Sequence, residues 1–199
     1  MPRKVNQPDL RLRFHSLTPD RWRDLTKLFG ERGACGGCWC MTWRLGRGEF
    51  EKRRGESNRR AFQRIVRNGD EPGVLAYDGD EPIGWCAVQP REVYTVLVRS
   101  RTLAPVDDRP VWSVTCFFIK REFRRRGVSV QLLKAAAKHA KSRGAKIVEG
   151  YPVEPRTGTM PDAFAWTGLS ETFRRAGFKE VERRSPTRPI MRLEVARGR

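Results

Sequence analysis

Apolar residues recur along this chain at two spacings, every second position and every third or fourth, and the changes between them outline the elements. Residues 10–14 alternate leucine or phenylalanine with arginine, which predicts a strand with one wet face. Thr18, Pro19 and Asp20 then supply an N-cap, a proline for the first helical position and an acid for the first turn. Trp22, Leu25, Leu28 and Phe29 share one face of the helix that follows, and Gly30 or Gly33 ends it. A Cys- and Gly-rich loop over 33–43 leads to a basic helix over about 49–68, with Phe62, Ile65 and Val66 as its buried stripe and Gly69 as its stop.

Two apolar runs, 74–77 and 83–88, flank Asp78-Gly79 and predict a hairpin. Residues 90–110 read as an irregular connection, and the short apolar run 93–98 inside it fits either period. A strand over 112–119 precedes a basic loop and a helix over 127–143, where Val130, Leu132, Leu133, Ala136, Ala137 and Ala140 recur at helical spacing. Gly144 stops that helix, and 147–151 reads as the next strand. Prolines and glycines make 152–168 a long loop, Ser170 caps a short helix ending near Ala176, and 178–183 and 190–195 are the last strands. The order βααβββαβαββ predicts a mixed α/β sheet with hairpins at both ends and one strand–helix–strand unit. A single domain over 10–196 is expected, preceded by a tail over 1–9.

The passage from strand 112–119 into helix 127–143 carries the strongest chemical signal. The first N–H groups of a helix lack partners and carry partial positive charge, so they can hold a phosphate. Arg124, Arg125 and Arg126 reinforce that polarity. Neither a Walker A pattern nor Gly-x-Gly-x-x-Gly occurs, which removes support for P-loop and Rossmann nucleotide sites.

Apolar strand, Arg124-x-x-Gly127-x-Ser129 and long helix together resemble the cofactor motif of the GNAT acetyltransferase superfamily. Ser129 departs mildly from the Gly or Ala usual there, and the resemblance is sharpest over 114–134 and 171–178. It implies a GNAT-like fold whose strands 112–119 and 147–152 splay apart around acetyl coenzyme A. Phe117, Phe118 and Ile119 would offer backbone groups to the pantetheine arm, one N–H lying near the thioester carbonyl. Arg124, Arg125, Arg126, Gly127, Val128 and Ser129 would hold the pyrophosphate. The implied activity is N-acetyl transfer to a primary amine of a small molecule or protein by direct attack. Two alternatives remain: an amine carried on nucleic acid, such as an aminoacyl-tRNA, and a non-catalytic acyl-coenzyme A-binding module.

Many members of that superfamily place a tyrosine four residues before the glycine of a Gly-Phe pair, as acid for the departing thiolate. The pair here is Gly177-Phe178, and Phe173, which has no proton to give, stands in that place. Ser170, Thr172 or water are the substitutes open to it. An attacking amine must shed a proton, which makes Glu149 the first candidate base and Glu154 the second. Tyr151 and the loop residues Trp39, Met41 and Trp43 are candidates for lining an acceptor pocket.

Cys35, Cys38 and Cys40 sit in Cys-x-x-Cys-Trp-Cys, three thiols where a closed zinc site usually takes four, so no metal is expected. This loop and the Glu-Gly-Tyr-Pro strand end resemble a subgroup of the same superfamily. The 199 residues carry a net charge of +18, but the arginines are spread over the whole chain rather than gathered into one binding footprint. A polyanionic partner is therefore a possibility that the distribution does not favour. No apolar run approaches a membrane span, and the Met-Pro-Arg-Lys start lacks a signal core, so a cytoplasmic monomer or homodimer is expected. Gly127→Glu is expected to weaken coenzyme A binding by more than about tenfold, by charge and steric conflict with the pyrophosphate; calorimetry returning wild-type affinity would count against this placement.

Overall fold

A computed structural model describes residues 10–155, 161 and 165–195. The expected tail over 1–9, position 196 and parts of the 152–168 loop lie outside the described residues. The strands are β1 (Leu12–Ser16), β2 (Gly73–Asp78), β3 (Glu81–Pro90), β4 (Trp112–Ile119), β5 (Ile147–Gly150), β6 (Lys179–Arg183) and β7 (Pro189–Glu194). The helices are α1 (Trp22–Phe29), α2 (Arg47–Lys52), α3 (Glu56–Arg67), α4 (Thr95–Val98), α5 (Val128–Ser142) and α6 (Ser170–Arg175). One sheet runs β1-β2-β3-β4-β5-β7-β6, antiparallel throughout except for the central β4/β5 pair.

Four local expectations are corrected. The first strand is displaced two residues along the chain, because its partners run from Asp78 back to Val74. The single basic helix is two, α2 and α3, separated at Gly55, whose φ of +79 no right-handed helix accommodates. The ambiguous run 93–98 ends a 3-10 turn (Arg91–Val93) and forms α4. Ser170 is the first helical residue of α6 rather than its cap, which is Leu169.

Alternation in the strands sends side chains to two faces. On one, Val130, Leu132, Leu133, Ala136, Ala137 and Ala140 of α5 close over Val74, Ala76, Cys86, Val88 and Val114. Burying each such leucine or valine contributes about 1.5–3 kcal/mol against chain entropy. On the other face, α1, the cysteine loop and α3 cover Leu75, Trp85 and Ala87. A smaller cluster of Tyr94, Leu97, Leu103, Tyr151 and Ile190 continues that second layer.

The central pair is short. Trp112, Ser113 and Val114 of β4 pair with Val148, Glu149 and Gly150 of β5, and the ladder ends there. Just beyond, Val88 pairs with Val114 and Ala87 with Cys116, so Thr115 is an extra residue on β4. Such a bulge bends and twists its strand, and β4 turns away from β5. At the parting, Phe173 of α6 lies over Gly150, where an added Cβ would sit 2.6 Å from the Phe173 ring Cζ. Gly150→Ala should therefore destabilise the fold by about 1–3 kcal/mol through overpacking, read as a lower urea midpoint at unchanged slope.

Candidate active site

The gap beyond Val114 is lined on its β4 side by a free strand edge, and each main-chain group described there has a particular partner. Trp43 donates its indole N–H to the Thr115 carbonyl at 3.1 Å. The Phe117 N–H donates to the Trp166 carbonyl at 2.6 Å. The Ile119 carbonyl accepts from Arg124 Nε at 2.9 Å. Trp43 and Trp166 pack ring against ring at 5.7 Å between centroids. Residues 166–168 thus lie along the edge of β4, with Gly168 pressed between Phe117 and Phe173. Two surface depressions of about 420 and 410 Å³ lie against α1 and α3, the first lined in part by Trp39.

At the far end of β4, Lys120 to Phe123 make a tight turn, and Arg125 and Gly127 adopt left-handed φ of +59° and +78° before α5 begins. These two reversals leave the helix entrance without a side-chain cap. The N–H groups of Val128 and Ser129 have no hydrogen-bond acceptor among the described residues, while that of Val130 bonds back to Gly127. Space beside Gly127 is open. The Arg126 guanidinium packs over Phe123. Among the described residues the helix mouth thus presents two amides without an acceptor, with three arginines in the loop before it.

Beneath the β4/β5 ladder lies a buried polar row. Ser113, Glu149 and Arg192 are cross-strand neighbours on one face, and all three are buried. Glu149 takes Arg192 Nε on one oxygen at 2.6 Å, and Arg91 at 3.3 Å and the Tyr151 hydroxyl at 2.6 Å on the other. Arg91 also donates to Tyr151 and to the carbonyls of Leu97 and Leu103. Burial and the Glu149 charge push the Tyr151 phenol well above its ordinary range. Taking one partner out of such a network leaves a buried charge, a loss of about 3–5 kcal/mol.

Glu154 and Ser170 meet in a second cluster. Ser170 donates to Glu154 at 3.0 Å, and Arg174 and Arg183 both pair with the same carboxylate. These bonds hold Glu154 down to about 2, with Arg174 the main cause. A carboxylate that acidic is a weak acceptor for an ammonium proton near neutral pH. Glu149 belongs to a separate set of contacts. The three loop residues expected to line one pocket are also divided. Trp39 and Met41 are core residues packed with Trp22 and Phe29, and only Trp43 reaches the gap.

Phe117 and Phe118 point to opposite faces, Phe117 toward Phe173 and Phe118 toward Phe29. Phe173 is fully buried and also meets Phe178 edge-on at 5.0 Å. All five cysteines are free thiols, and burial raises Cys38 to about 11. No group of three or more His, Cys, Asp or Glu among the described residues is arranged to hold a metal, nor is any described helix long and apolar enough to cross a membrane.

The residues that pattern reading missed are Arg91, Arg192, Ser113, Tyr94 and Trp166. For Arg192 a signal existed, a lone charge within the apolar run Ile190-Met191-Arg192-Leu193. Nothing local marked the others.

A mixed sheet whose central parallel strands part, followed by a helix entrance that exposes its amides, defines the acyl-coenzyme A N-acyltransferase fold. Residues 39–156 match the model of the acetyltransferase (GNAT) family, and the chain belongs to that family. An acetyltransferase of the GNAT family from Streptococcus agalactiae is similar in fold, with a TM-score of 0.54 at 12% identity over 96% of this chain and 100% of that one. PaiA N-acetyltransferase from Thermoplasma acidophilum, solved with coenzyme A, gives 0.50 at 16% identity over 93% and 99%. A chain of the NatC complex bound to Gag peptide and coenzyme A gives 0.53 at 10% identity over 93% and 99%. No curated protein matches this sequence.

Because Phe173 is sealed among Gly150, Phe117 and Phe178, adding a hydroxyl there would bury it without an evident partner. Phe173→Tyr is expected to lower stability by about 1–3 kcal/mol and to leave acetyl transfer no faster, checked by thermal unfolding and coenzyme A release.

Proposed function

We propose that this protein transfers the acetyl group of acetyl coenzyme A to a primary amine by direct attack. The observation that carries the reading is the parting of β4 from β5 after Val114, on the strand that leads through the arginine loop to the uncapped start of α5. A pyrophosphate at 125–129 would receive helix-start amides and the charge of Arg124, Arg125 and Arg126. The pantetheine arm would then run back along β4, from Ile119 toward Thr115. Four residues of strand span about 13 Å, which carries the thioester to the parting.

Residues 166–168 lie where that arm would run, so its binding requires the Trp166 carbonyl to give up the Phe117 N–H. That N–H is then free to face the thioester carbonyl, where it would stabilise the oxyanion. Trp43 stands at the acceptor end. Glu149 acts in this reading by orienting Arg91, Tyr151 and Arg192, since both its oxygens already accept charged donors. The amine's proton leaves to water.

A second reading, a non-catalytic acyl-coenzyme A-binding module, draws support from Phe173 and from the Trp166 carbonyl seated on β4. The two separate in one experiment, calorimetry with acetyl coenzyme A followed by radiolabel transfer to a panel of amines, peptides and aminoacyl-tRNA. Binding with transfer supports the first reading, and binding without transfer to any acceptor supports the second. Absence of binding removes both. Trp166→Ala, which loses the stack on Trp43, is expected to tighten coenzyme A binding several-fold, as a reduced Kd in the same calorimeter.

A further inference from the structure

Arg188 closes the turn between β6 and β7, its N–H bonded to the Ser185 carbonyl at 3.1 Å. Its Nη1 donates to the Tyr151 carbonyl at 3.3 Å and to the Thr167 hydroxyl at 2.9 Å. Tyr151 is the first residue past the last pair of the β4/β5 ladder, and Thr167 belongs to the segment that lies along the free edge of β4. The guanidinium therefore bridges the end of β5 to the stretch of chain that fills the gap.

This cation is half-buried and has no carboxylate partner among the described residues. Burial, with no acid to oppose it, lowers its pKa from the ordinary arginine value. The neighbouring acids are committed elsewhere. Glu149 is taken by Arg91, Arg192 and Tyr151. Glu154, whose N–H bonds to the Thr187 carbonyl, is taken by Arg174, Arg183 and Ser170. A guanidinium has five N–H donors, and Nε and Nη2 of Arg188 find no acceptor among the described residues. A half-buried cation with idle donors at the border of a gap is a ready anchor for an anion.

We propose that the acceptor is an amine carrying its own carboxylate, and that Arg188 holds that carboxylate once coenzyme A has displaced residues 166–168. The inference rests on the acetyl-transfer reading above and names its substrate class. Seating the pantetheine arm takes the Trp166 carbonyl off the Phe117 N–H. Thr167 is the next residue, so the same displacement takes its hydroxyl off Arg188. One movement thus frees the amide for the thioester and the guanidinium fork for the acceptor, which makes binding ordered, cosubstrate first. Only one residue of chain, about 3.8 Å between Cα atoms, separates those two contacts. The amine and carboxylate of a short amino acid span a similar distance. With the carboxylate on Arg188, the amine nitrogen bonds to the thioester carbon and the carbon–sulfur bond breaks with its electron pair on sulfur. One amine proton passes through water to that sulfur. The net charge of +18 draws an anionic acceptor toward the protein in the first place.

The test uses the full protein with saturating acetyl coenzyme A and follows coenzyme A release. L-Amino acids and dipeptides are each compared with their own C-terminal amides, alongside polyamines. Free acids should exceed their amides in kcat/KM by about tenfold or more. Arg188→Gln should lower kcat/KM for the acids by more than about tenfold, through KM, and bring the acid-to-amide ratio toward one. Arg188→Lys should restore part of the preference, since an ammonium keeps the charge but loses the fork. An arginine that merely braced the turn would slow acids and amides alike and leave their ratio unchanged. The wild-type comparison needs no variant to fold. Amides or polyamines acetylated as well as the acids would overturn the proposal while leaving acetyl transfer intact, as would an unchanged ratio in a folded Arg188→Gln protein. Transfer to none of these acceptors would instead remove the acetyl-transfer reading beneath it.

Discussion

The sheet depends on how β4 ends its partnership with β5. Only three residue pairs join these strands, and the extra residue Thr115 turns β4 aside directly afterwards. Everything chemically interesting follows from that divergence. It strips β4 of a neighbour from 115 to 119, leaves main-chain groups that must be satisfied otherwise, and brings α5 to its start at the open end. In this structure the chain satisfies the edge itself, with Trp43, Trp166 and Arg124 as stand-ins for a missing strand. A cosubstrate that matches their hydrogen bonds competes against a contact the protein already makes.

Two charged clusters flank the parting and have different physical characters. Glu149 is enclosed with Arg91 and Arg192 and gives the β5 side its order, since a buried carboxylate between two guanidiniums accepts few alternative positions. Glu154, by contrast, is half exposed and ties the loop after β5 to α6 and β6 through Arg174 and Arg183. Solvent screens that second cluster, so it contributes less to stability than its number of partners implies. Charge in this protein is thus used internally, by arginines that reach into the fold, as well as on its surface.

Much of the architecture could be read from spacing alone. The hairpin at Asp78-Gly79, the apolar stripe of α5 and its stop at Gly144 are encoded within a few residues, so local periodicity sufficed. Gly55 could not be recognised as a helix break, because one glycine in a basic run does not reveal a positive φ. The sites divide in the same way. Gly127 and its arginines are contiguous, so their place at the start of α5 could be read from the sequence. The Arg91–Glu149–Arg192 network joins residues 58 and 43 positions apart, and only the sheet's register brings them together. Trp39 and Met41 belong to an aromatic loop whose composition does not tell a ligand-facing side chain from a core one, and in the fold both are buried. Tyr94 was hidden within a connection of undecided type.

Arg91 has a wider consequence. Its guanidinium binds the sheet through Glu149 and Tyr151 and grips the carbonyls of Leu97 and Leu103 with its other nitrogen. The connection between β3 and β4 is thus tied to the sheet by Arg91, beside the bonds of Val96 to Trp43, Thr95 to Arg44, Arg184 to Ala104 and Pro105, and Asp107 to Arg192. Its folding is coupled to that buried ion pair, and an opening that released these contacts would leave the β3/β4 ladder on either side paired. In a chain rich in basic residues, such a subglobal opening would present fresh tryptic sites from Arg99 onward and make this crossover the natural point of limited proteolysis.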